Sequence, residues 1–142
     1  MSLERNKAVV TRFYTEANDA QRYAVLDEIC RPDVIIHDPL AGEQRGVEAF
    51  KGLLAFFRQG FPEQKTELQQ FVAEGDYVTL LHIHHAVNSG PFNGMPPTGR
   101  TVVVPGNELF RLENGKIAEF WRFDADLNLM MQLGAIPAPT GV

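Results

Sequence analysis

Three carboxylates, a histidine and a tyrosine stand where they could exchange protons with a bound organic molecule. Asp124 closes a stretch that carries Trp121 and Arg122 and runs straight into an apolar segment. A carboxyl group held among large aromatics resists ionising and can trade protons with a ligand. The same Asp124 could instead bridge to Arg122, two residues back on one strand face, which would lower its pKa. Asp38 follows the β-branched run Val34-Ile35-Ile36-His37. There it could act as a general base, or simply open a turn with Pro39. His37 could polarise a carbonyl or shuttle a proton, a role open to imidazoles in general. Glu108 falls mid-strand; pointing inward it needs a proton or a partner, pointing outward it needs neither. Tyr14 lies on an apolar helical stripe, where its hydroxyl could donate to a substrate oxygen or remain a satisfied core group.

The elements that must position these groups fall into two halves. Val9, Val10, Phe13, Tyr14 and Ala17 recur at steps of three and four, which predicts a helix over 4–18. Asp19 caps a second helix that carries Tyr23, Leu26, Ile29 and Cys30 and stops before Pro32. A short strand over 34–37 follows, then a loop with Gly42 and Gly46, then a helix over 47–59 with Phe50, Leu53, Leu54 and Phe57 on one face. The second half reads as strands over 65–74, 77–87, 100–112 and 117–123. Gly75-Asp76 and Asn114-Gly115 are tight-turn signals. Pro105-Gly106 predicts a bulge in the third of these strands. A helix over 126–133 and a loose tail over 135–142 close the chain. Helices first and antiparallel strands later define an α+β fold, in which a strongly bent sheet with helices over its concave side leaves a cavity. The aromatics Phe57, Phe120 and Trp121 would line that cavity or fill the core. Phe92 and Met95, on the Gly/Pro-rich loop 88–99, would cover its mouth.

The chain has 142 residues, 44% hydrophobic and 22% charged, which fits one ordinary globular domain. A net charge of −5, with 13 scattered basic residues, argues against a nucleic-acid partner. The lone Cys30 excludes an internal disulfide. No segment approaches the about 18 consecutive apolar residues of a membrane span. The polar start M-S-L-E-R-N-K lacks a signal-peptide core and predicts a cytoplasmic protein. His82 and His84 share a strand face and could bind zinc with a third ligand such as Asp38 or Glu108, but no ligand-spacing motif accompanies them.

Four stretches, N-K-A-V-V-T-R-F-Y near the start, I-H-D-P at 36–39, G-M-P-P-T-G-R at 94–100 and the closing G-K-I…W…D…Q-L-G, resemble the SnoaL-like polyketide cyclase family. This is a branch of the NTF2-like superfamily that includes ketosteroid isomerase. The resemblance spans about residues 6–134 and implies the NTF2-like cone. It also implies a cofactor-free and metal-free enzyme, with Asp124 as the acid/base of an intramolecular aldol ring closure on a small, largely apolar carbonyl compound. Ketosteroid isomerase offers a second pattern. Its helix Tyr and general-base Asp lie 24 positions apart, as Tyr14 and Asp38 do here, and Glu108 in E-L-F-R stands where its protonated, oxyanion-donating Asp does. Glu is longer than that Asp, and His37 replaces an acid. A non-catalytic small-molecule-binding module is the third reading. Related proteins pair through the outer sheet face, so a homodimer is expected.

Overall fold

The computed structural model describes residues 2–141. Helix α1 (Leu3–Arg12) begins where Ser2 Oγ accepts a hydrogen bond from the Arg5 amide, satisfying a donor the helix itself cannot pair. The helix then widens into a π-wound segment, Phe13–Asp19. The wider winding buries the neighbours Phe13 and Tyr14 together. Helix α2 (Val25–Ile29) is a single short turn. Cys30 lies not in that helix, as its apolar neighbours suggested, but at the start of strand β1 (Cys30–Asp38). Burial pushes its thiol up to about 12, so it is inert. The expected loop at Gly42 is strand β2 (Gly42–Arg45), whose four polar residues hide it from any hydrophobic pattern. Helix α3 (Val47–Gly60), strands β3 (Gln64–Glu74), β4 (Tyr77–Val87), β5 (Thr101–Glu113) and β6 (Lys116–Asp124), and helix α4 (Asp126–Gln132) follow. Residues 135–141 carry no helix or strand; residue 142 lies outside the described residues.

The strands form one curved, unclosed sheet in the order β2-β1-β6-β5-β4-β3. Every pair is antiparallel except β1 with β6, which is parallel. The helices cover the face that carries Ile36, Val78, Leu80, Phe110 and Phe120. Phe13 and Phe50 pack on Phe110 and Phe120 at ring separations of 4.9–5.4 Å. Burying each such ring contributes roughly 2–3 kcal/mol. A smaller cluster of Phe61, Ala86, Phe92, Val102, Val104, Leu129 and Leu133 seals the other end.

No bulge forms at Pro105-Gly106. Strand β5 pairs with β4 without interruption from Tyr77↔Arg111 to Val87↔Thr101. Its inward residues therefore alternate strictly, with Val102, Val104, Gly106, Glu108, Phe110 and Leu112 all on the helix side. This alternation aims Glu108 into the interior.

Candidate active site

A row of three residues crosses the inner sheet face: His82 on β4, Gly106 on β5 and Asp124 on β6 are direct partners. Side chains two strands apart do not normally meet, since neighbouring strands lie about 4.8 Å apart. Gly106 lets them. A Cβ there would sit 1.9 Å from Asp124 Oδ1 and 2.8 Å from His82 Nε2. The vacant position brings His82 Nε2 to 3.0 Å from Asp124 Oδ1. Thus Gly106 is a packing requirement of the site, not the mark of a bend.

The next row places Glu108 beside Arg122 and Leu80. Tyr14 donates its hydroxyl to Glu108 Oε1 at 3.0 Å from the π-wound segment. Glu108 Oε1 is also 3.4 Å from His82 Nε2, while Oε2 is buried with no hydrogen-bond partner among the described residues. His84 completes the group, its Nε2 3.6 Å from Asp124 Oδ2. One donor atom each from His82, His84, Glu108 and Asp124 lies within 4.8 Å of the others, so these four are the residues that could hold a metal ion.

Two like-charged carboxyls this close share a proton. Burial, then the charge of Asp124, drives Glu108 well above the usual carboxylate range. Burial also pushes Asp124 upward. The contacts of His82, His84 and Glu108 with its oxygens outweigh that, and it lies well below the usual range. Asp124 is therefore the ionised member and Glu108 the protonated one. Of the two readings the sequence left open for Asp124, its surroundings favour the lowered one: burial is outweighed by two imidazoles from β4, with Arg122 beside it, and Glu108 is the carboxyl that resists ionising. Tyr14 is raised by burial and by both carboxyls, so its hydroxyl remains a donor. Burial lowers His84, against the pull of Asp124, and keeps it neutral.

Arg122 organises the other side. Its Nε donates to Asp38 Oδ2 at 2.5 Å, Nη1 to Asp124 Oδ2 at 3.3 Å, and Nη1 and Nη2 to Asp126 at 2.8 and 2.7 Å. Its guanidinium lies over the Phe57 ring at 4.8 Å. Asp38 is thereby occupied. Its Oδ1 accepts from the Leu40 and Ala41 amides, the turn that Asp38-Pro39 predicted, and its Oδ2 takes Arg122. Burial raises it, but Arg122 and the two amides together hold it below the usual range.

The remaining sequence candidates separate by strand parity. His37 and Trp121 are register partners on the outer face, stacked at 5.0 Å, with His37 Nε2 2.6 Å from Glu119. Both were expected at the pocket; each is one residue out of phase with the inward Asp38 and Arg122, and neither lines the inner cavity or the outer chamber. Phe57 and Phe120 line an inner cavity of about 70 Å³ together with Tyr14, His84, Glu108 and Asp124. Phe92 lines an outer chamber of about 870 Å³, with Leu40, Phe56, Leu127 and Met130. Met95 lies behind Phe92 and bridges to its backbone rather than facing either space. The two cavities share Leu53, Phe57, Asp126 and Leu129 as a common wall.

The SnoaL-like polyketide cyclase family profile matches residues 8–133, and the chain belongs to that family. Among solved structures it is similar to a candidate SnoaL-like polyketide cyclase from Jannaschia sp. CCS1, at 29% identity and TM-score 0.87 over 94% of each chain. It is similar to AclR, a candidate hydroxylase from Streptomyces galilaeus, at 25% identity and TM-score 0.86 over 99% of this chain and 87% of that one. It is also similar to IdmH, a candidate polyketide cyclase from Streptomyces antibioticus, at 28% identity and TM-score 0.81 over 91% of this chain and 98% of that one. No curated protein matches. Among the described residues, no helix is long and apolar enough to cross a membrane.

Proposed function

We propose that this protein is a cofactor-independent cyclase that closes a ring by intramolecular aldol chemistry on a largely apolar polyketide-like carbonyl compound. The carrying observation is the meeting of Asp124 and Glu108 at His82 Nε2, 3.0 and 3.4 Å away, at the wall of a small cavity that adjoins a larger apolar chamber, with Glu108 pushed above and Asp124 held below the ordinary carboxylate range. Two titratable groups driven apart by their surroundings divide the base and acid roles between them. In this reading the outer chamber, within the size range of small-molecule sites, holds the apolar body of the substrate. Its reacting carbonyl enters the inner cavity. Asp124, with neutral His84 beside it, takes the proton α to the carbonyl. Tyr14 and protonated Glu108 donate hydrogen bonds to the enolate oxygen; the α carbon then bonds to the second carbonyl carbon, Glu108 protonates the alkoxide formed there, and the proton held by Asp124 passes to Glu108 to reset the pair. General acid/base help is worth roughly 10²–10⁴-fold and an oxyanion donor about 3–4 kcal/mol of barrier, enough for a ring closure in a folded substrate.

The isomerase alternative requires Asp38 as the base with Tyr14 and Glu108 as donors, and the position of Asp38 weighs against it: it lines the outer chamber and not the inner cavity that holds Tyr14 and Glu108. Turnover of aromatic polyketide intermediates, with deuterium uptake from solvent as a second readout, separates the readings. We expect Asp124→Asn to lose about 10²–10⁴-fold in kcat and Asp38→Asn to keep most of it; the reverse result supports the isomerase. Pairing of two copies through the outer sheet face is supported by the exposed Leu81, Val103 and Phe123, and sedimentation reads it directly.

A further inference from the structure

The inner cavity contains a second buried guanidinium, and among the described residues no carboxylate forms an ion pair with it. Arg58, near the end of α3, is 8% exposed and lines the same cavity as His84, Glu108 and Asp124. It has five N–H donors. One goes from Nη1 to the Phe61 carbonyl at 2.9 Å, and another from Nη2 reaches Asn18 Oδ1 only at 3.5 Å. Its Nε is buried with no partner, and no carboxylate pairs with it among the described residues. The negative charge that acts on it, Asp19, gives its oxygens to the Thr66 amide and hydroxyl at 2.7 Å instead. A buried charge without a partner costs several kcal/mol. Asn18, Gln64 and His84 on the same cavity wall are neutral, while the acids Asp124 and Asp126 of that wall are engaged by His82, His84 and Arg122.

We propose that Arg58 is a binding residue for an anionic oxygen of the ligand, so that the ligand of this cavity is an apolar carboxylate and not a neutral carbonyl compound. A guanidinium offers a planar fork that matches a carboxylate with two parallel hydrogen bonds. The carboxylate completes the donors that Phe61 and Asn18 leave open. It anchors one end of the molecule against α3, while a carbonyl further along reaches the Asp124–Glu108 wall. This deepens the cyclase reading by naming the substrate class, but it concerns binding and requires no turnover.

The test is a matched pair of ligands, anthraquinone-2-carboxylate and its methyl ester, titrated calorimetrically into the full chain. The wild-type protein is expected to bind the acid at least tenfold more tightly than the ester. Arg58→Gln should abolish that preference, and Arg58→Lys, which keeps the charge but not the fork, should retain part of it. Thermal melts of each variant confirm that the fold survives. Equal affinity for acid and ester, no binding of the acid at millimolar concentration, or a preference that persists in Arg58→Gln each overturns the assignment. If the preference holds while Asp124→Asn leaves turnover intact, the ligand class stands and the cyclase chemistry falls. If the preference is absent while Asp124→Asn is inactive, only the ligand class falls.

Discussion

Arg122 and Arg58 are the two buried arginines of one cavity, 5% and 8% exposed, and their surroundings are opposite. Arg122 is gripped by Asp38, Asp124 and Asp126. Arg58 has a carbonyl, a distant amide oxygen and an orphaned Nε. A saturated guanidinium holds strand ends and loops in place: it ties β1, β6 and the start of α4 into one knot. An unsaturated one is a receptor. The same side chain, at the same depth, is architecture in one place and recognition in the other, and the count of its acceptors tells them apart.

Stability measurements break or sharpen this contrast most strongly. Arg122→Met strands three acidic side chains in the interior and is expected to cost about 3–5 kcal/mol in urea denaturation. Arg58→Met removes an unpaired charge together with one good and one long hydrogen bond, so the net change is expected within about 1 kcal/mol of zero. Equal losses would make both residues structural. Gly106→Ala is next. Its methyl group would collide with Asp124 Oδ1, so we expect a loss of about 1–3 kcal/mol together with most turnover, while the aromatic core stays intact by near-ultraviolet circular dichroism.

Glu108→Gln gives a smaller, pH-dependent effect. Glu108 is raised in the folded protein, so its contribution is complete below the ordinary Glu value of about 4.3 and fades as pH rises toward its folded value. The Gln variant lacks that decline. It should gain on the wild type with rising pH, by at most about 1.4 kcal/mol per pH unit within that window. Asp38 and Asp124 are lowered and act in the opposite sense: their contribution is present above about 3.9 and is lost as pH falls through their folded values. Urea titrations at several pH values read both slopes.

Local patterns carried most of the fold. Periodicity predicted the helix of Phe50, Leu53, Leu54 and Phe57 and the strand of Tyr77–Val87, because each buries one regular face. β2 left no such trace, since an exposed edge strand of Gly, Glu, Gln and Arg buries nothing. The site was legible only in part. Tyr14, Glu108 and Asp124 were marked by residue type and resemblance, but the partnership of His82 with Asp124 spans three strands and depends on a missing side chain at Gly106. The signal was present in two forms that pointed elsewhere: His82 and His84 resembled a metal pair, and Pro105-Gly106 resembled a bulge. Arg58 left no mark, because a lone arginine on a helix is ordinary until its burial and its lack of acceptors are known. Strand parity for His37 and Trp121 depended on register, which a one-residue slip reverses.

The proton arrangement at the heart of the site can be read directly by following the side-chain carboxyl carbons of Glu108 and Asp124 in a ¹³C-labelled sample by NMR from acid to mildly alkaline pH. Glu108 is expected to titrate well above the ordinary Glu range while Asp124 stays ionised to well below the ordinary Asp range. Two carboxyls that both titrate at their ordinary values would contradict that arrangement.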